Sequence, residues 1–168
     1  MSDQHSAASI TPTLPIRLPV MRIRVGLILT LIGFLVFMIG AKPDVFGLDR
    51  SPVIGFVQIA VFLVGLAIMC LGGYISLLAL WKGLVTSIAA DIGLRLVSTG
   101  YVIAVFTGMA DIFGFGSHPF PIIPYFGPYQ ALGVVSGEII IAIGFLMLIP
   151  YAHIHLRRPA PPAEPPAQ

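Results

Sequence analysis

Apolar residues along this chain come in four long runs, separated by short stretches that hold most of the charge. The runs are 25–41, 53–80, 94–114 and 129–150. All four are much longer than a strand, and none alternates with a period of two. As helix the shortest covers about 25 Å and the longest about 42 Å, against a hydrocarbon core of about 30 Å. Only helices and closed barrels satisfy their backbone groups in lipid, and a barrel strand needs about ten alternating residues. The pattern predicts an all-α integral membrane protein, a four-transmembrane-helix bundle whose second helix tilts or projects past the lipid.

The flanks complete the layout. Residues 1–20 are polar and proline-punctuated, and read as a disordered tail. Residues 21–156 form the transmembrane domain, and 157–168 a proline-rich extended tail. Arg22 and Arg24 before the first run also fit a secretory signal. The run is longer than a signal's core of about 7–15 residues and no A-x-A site follows, so it reads as an uncleaved span. Arg17, Arg22, Arg24, Lys82, Arg95, Arg157 and Arg158 lie in the N-terminal, middle and C-terminal flanks, whereas Lys42 and Arg50 share the first connection with Asp44 and Asp49. The positive-inside rule then predicts both termini in the cytoplasm. In the middle connection, Thr86 or Ser87 is placed to cap a helix, and Asp91 and Arg95 stand four apart for an ion pair.

Composition sharpens the class. Of 168 residues 57% are hydrophobic and 10% charged, against about a quarter charged in a soluble domain. The net charge of +2, spread along the chain, argues against a nucleic-acid partner. The single cysteine, Cys70, excludes an internal disulfide framework and reads as a small buried hydrophobe. The bilayer is the expected partner, and with no organelle address a bacterial-type plasma membrane is the default location.

Close packing must hold such helices together, because water cannot. Gly26, Gly33 and Gly40 stand seven apart, as do Gly65, Gly72 and Ala79, with Gln58 opening the same row. Val97, Gly100, Ala104, Thr107, Asp111 and Gly114 alternate spacings of three and four, and the fourth run carries Gly133, Gly137 and Gly144. A seven-residue row keeps one face toward a partner, which predicts a compact left-handed bundle. No long internal repeat is read, and the two halves are expected to be unrelated.

Glu138 is the candidate for chemistry. It lies about 13 Å into the fourth run, where a charge costs at least a few kcal/mol. Gln58, Thr107 and Asp111 fall at neighbouring levels, and His118 follows the third run, so these five form a predicted polar cluster. Its functional reading is a proton, cation or polar-ligand site. Its structural reading is a hydrogen-bonded network that sets helix register. Asp111, close to the headgroups, is expected to be simply solvated. No metal is expected: His153-x-His155 spacing puts the two rings on different helix faces.

Residues 114–130, GFGSHPFPIIPYFGPYQ, carry four prolines and no charge. Proline lacks an amide donor, and aromatic rings favour the membrane edge, so this loop is expected to lie along the interface between helices 3 and 4. Trp81 is the matching anchor expected at the opposite edge. No nucleophile–base pair, phosphate loop or cofactor motif is present, so neither an enzyme nor a cofactor is expected. Two functions remain: an accessory or scaffold subunit docking to a larger membrane complex or to further copies of itself, and a small transporter or proton conductor centred on Glu138.

Overall fold

The computed structural model describes residues 20–48, 55–81, 85–115 and 126–151. His118, His153, His155, both tails and most of the 114–130 loop lie outside these residues. Among the described residues the chain is all-helical, with α1 Val20–Ala41, α2 Phe56–Leu80, α3 Ile88–Gly108 and α4 Pro128–Leu148. All four are long and apolar enough to cross a membrane. Their mostly exposed apolar surfaces, such as Leu27, Leu31 and Phe34 on α1, suit a protein whose solvent is lipid.

The third helix departs from its predicted span. It begins at Ile88 because Ser87 Oγ accepts the Ala90 amide at 3.2 Å. Asp91 and Arg95 pair on its exposed first turns at 3.1 Å. It ends at Gly108, and 109–114 fold as turns closed by Gly114 at φ 79°. Asp111 and Gly114 therefore leave the small-residue row that the sequence assigned to them.

Packing follows the glycine rows. On α1, Gly26, Gly33 and Gly40 meet Ser76, Met69 and Phe62 of α2, and Gly65 and Gly72 of α2 meet Phe37 and Thr30 of α1. Each step of seven along α1 is a step of seven back along α2, so one antiparallel register holds throughout. In α3 and α4, Gly100 faces Gly137 and Gly93 faces Gly144. A Cβ on Gly100 would come 2.5 Å from the Gly137 carbonyl oxygen, and one on Gly93 2.6 Å from that of Gly144. Gly133 meets the Thr107 side chain.

The outcome is two tight hairpins rather than one evenly packed bundle. Within each the backbones touch; between them α2 alone provides contact, to α3 and α4, while α1 packs on α2 only. Leu63, Leu66 and Cys70 of α2, Val97 and Ala104 of α3 and Ile141 of α4 make the buried core. At the end of the molecule where α2 and α4 finish, Trp81 is buried instead of anchoring at the lipid edge, and its indole donates to the Leu148 carbonyl at 3.0 Å.

The two hairpins are also copies of one pattern, contrary to the expectation of unrelated halves. After α1, the Gly47 amide donates to the Asp44 carbonyl and the Leu48 amide to that of Pro43; after α3, Gly114 and Phe115 do the same to Asp111 and Ala110. Both glycines are left-handed, at φ 66° and 79°. Gly55 and Gly127 start α2 and α4 with φ, ψ of −84°, 161° and −82°, 163°. The residues then align. Asp44-x-Phe46-Gly47 matches Asp111-x-Phe113-Gly114, and Gly26 and Gly33 match Gly93 and Gly100. Pro52, Gly55, Gln58, Gly65 and Gly72 match Pro124, Gly127, Gln130, Gly137 and Gly144. Both repeats run in the same sense, with α2 and α4 starting at the same end of the molecule.

Candidate functional site

A cleft of about 280 Å³ opens between the hairpins, bounded by α1, α2 and α4. It lies toward the end where α1 finishes and α2 and α4 begin. Phe37, Phe62 and Phe126 contribute rings to it, with Phe37 and Phe62 4.6 Å apart at their centroids. Its polar side chains are Gln58 and Glu138. The cleft exists because the backbone of α1, held on α2 by its glycines, does not approach that of α4 closely.

The helices set the placement of both groups. Gln58 stands in the first turn of α2, at the mouth of the cleft. Glu138 stands ten residues into α4, about 15 Å from its start. The neighbouring Gly137 is pressed against Gly100 and Ala104 of α3, which fixes the rotation of α4. The next residue around the helix is thereby turned off that interface and toward α1 and α2. Glu138 is half-buried, and no hydrogen bond or ion pair reaches it among the described residues.

The predicted five-residue cluster divides. Glu138 and Gln58 border one cleft. Asp111 sits in an adjoining crevice of about 10 Å³ that shares Ile59 and Phe126 with it. Far from being solvated, Asp111 is 6% exposed, and its Oδ1 is buried without a hydrogen-bond partner among the described residues. The turn 109–114 folds it inward, beneath Phe56 and Ile112. Thr107 points elsewhere: its hydroxyl donates to the Ile103 carbonyl at 2.8 Å and its methyl faces Gly133. Among the described residues no hydrogen bond joins any two of Glu138, Gln58, Asp111 and Thr107, so these four form no register-setting network.

Sequence reasoning passed over the aromatic walls, since single phenylalanines in apolar runs carry no distinguishing spacing. It also passed over Gln130, the counterpart of Gln58, whose Oε1 accepts the Gly127 amide at 2.7 Å and closes the start of α4. Aligning the repeats singles out Glu138 a second way, because the matching residue of the first repeat is Leu66. Among the described residues no group of three or more His, Cys, Asp or Glu is arranged to hold a metal ion.

No protein-family model matches this chain, and the searches of curated proteins and of solved structures returned no match.

Proposed function

We propose that this protein is a small polytopic membrane subunit, non-catalytic, that docks to a larger complex in a bacterial-type plasma membrane with both termini in the cytoplasm. The orientation rests on the arginines and lysines of the flanks. The docking reading is carried by an exposed aromatic cluster where α3 ends. Phe106 stacks on Phe113 at 5.8 Å and lies 5.9 Å from Phe115, and the three rings are 51%, 52% and 75% exposed. Phenylalanine, like the other aromatic residues, is enriched at protein–protein interfaces.

The test is purification in mild detergent from the native membrane. A partner chain recovered in fixed stoichiometry, and lost in Phe106→Ser/Phe113→Ser, supports docking. A wild-type chain recovered alone sinks it.

A second reading, a transporter or proton conductor, is favoured by the position of Glu138. Transporters place their sites between like repeats, and Glu138 stands at such a junction. Flux through liposomes holding the purified chain alone, abolished by Glu138→Gln, would establish this reading over the first.

A further inference from the structure

The repeat gives the cleft a counterpart elsewhere in the molecule. Exchanging α1 with α3 and α2 with α4 carries Phe37 onto Ala104, Phe62 onto Val134, Val135 onto Leu63 and Glu138 onto Leu66. At that counterpart the helices close. Ala104 is 0% exposed, Leu66 2%, Leu63 3% and Val134 5%, and Gly108 lets α3 settle against Ile59, Leu63 and Val134. On the cleft side the same positions stay open, with Val135 48% exposed. One junction is core; the other is a lined cavity.

Their chemistry differs as well as their closure. The closed junction has alanine, valine and leucine where the open one has two phenylalanines and a carboxyl, and Phe126 adds a third ring. We propose that the open junction binds a small lipophilic organic cation, an amine or quaternary ammonium group on an apolar body. Glu138 supplies the counter-charge, and Phe37, Phe62 and Phe126 supply the walls.

The combination selects for this class. An aromatic face carries negative electrostatic potential and attracts a cation. A carboxyl in a lipid-embedded cleft needs a partner, and none reaches Glu138 among the described residues. A neutral hydrocarbon would leave that carboxyl uncompensated, and a small inorganic cation would have to shed its hydration and would leave the apolar walls unfilled. The volume of about 280 Å³ lies near the lower bound of about 300 Å³ for small-molecule pockets and is small for a whole phospholipid. Entry is lateral, from the lipid between α1 and α4. The site requires neither docking nor transport by this protein.

Benzyltrimethylammonium and its neutral isostere neopentylbenzene test the proposal, by equilibrium dialysis and calorimetry on the purified full chain in mild detergent. The cation is expected to bind saturably at one equivalent per chain, with the isostere at least about tenfold weaker. Glu138→Leu installs the residue that the first repeat carries at this position, so it suits the helix. It is expected to fold with an unchanged melting temperature and to lose at least about tenfold in affinity for the cation. Should it fail to fold, Glu138→Gln keeps the shape and is expected to show the same loss. Asp111→Asn, outside the cleft, is expected to bind as wild type. Absence of saturable binding by the wild-type chain overturns the proposal. So does equal affinity for the isostere, undiminished binding by the Glu138 variants, or an equal loss in Asp111→Asn.

Discussion

The indole nitrogen of Trp81 donates to the main-chain carbonyl of Leu148, 3.0 Å away and buried. The last carbonyls of a helix have no partner within it, so a side chain from the end of α2 completes the end of α4. This bond links two hairpins that otherwise meet only along α2. Trp81→Phe keeps the ring's bulk but removes the donor. It is expected to lower stability by about 1 kcal/mol, read as the melting temperature in detergent. Hydrogen exchange should rise first at the end of α4.

Glycine substitutions should sort by what they touch. Gly33→Ala drives a methyl into the Met69 backbone, and Gly100→Ala drives one into the Gly137 carbonyl. Neither obstacle is a flexible side chain, so separation of the helices is expected, with a loss of about 1–3 kcal/mol. Gly108→Ala meets only side-chain carbons at 3.4 Å and beyond and should melt close to wild type. Equal melting temperatures for all three variants would remove the argument for backbone contact.

The turns should respond alike in both repeats. No described atom lies within 4 Å of a would-be Cβ on Gly47 or Gly114, so crowding by the described residues plays no part. Their left-handed backbone does, at about 1–2 kcal/mol for an L residue. Gly47→Ala and Gly114→Ala are each expected to lose stability within that range. Asparagine, which tolerates this conformation better, should recover part of it at either position.

Asp111 offers a test in the opposite direction. Among the described residues its Oδ1 is buried with no hydrogen-bond partner, and an uncompensated buried carboxylate is costly. Asp111→Asn removes the charge at constant shape, so an equal or higher melting temperature is expected. A clear drop would reveal a partner for that oxygen.

The Asp91–Arg95 pair lies exposed on α3 and should matter little. Its side chains are 55% and 79% exposed, and such i, i+4 pairs contribute no more than about 0.5 kcal/mol. Arg95→Ala in high salt is expected to melt indistinguishably from wild type.

Much of this molecule was legible before any tertiary structure. The apolar runs of α2 and α4 and the end of the first run lie within a few residues of the observed helix limits, whereas α1 begins at Val20 and carries Arg22 and Arg24 in its first turns. The faces of α1 and α2 followed from glycines seven apart, since that spacing returns to one side of a helix every second turn. Ser87 and the Asp91–Arg95 pair were local, within one helical turn. The repeat escaped notice because its markers are sparse and its second turn region is five residues longer, nine residues separating Gly114 from Pro124 against four between Gly47 and Pro52. Shared backbone conformations at Gly47 and Gly114 exposed it.

By itself the sequence determined the solvent, the helix count and which face of each helix is small enough for close approach, because these depend on composition and local period. Only the tertiary structure decided which helices meet, that the backbones of α1 and α4 stay apart, and that Glu138 borders a cleft while Leu66, its counterpart, fills the core. Those outcomes depend on how two glycine-sealed hairpins lean against each other, a relation between distant segments that no local spacing encodes.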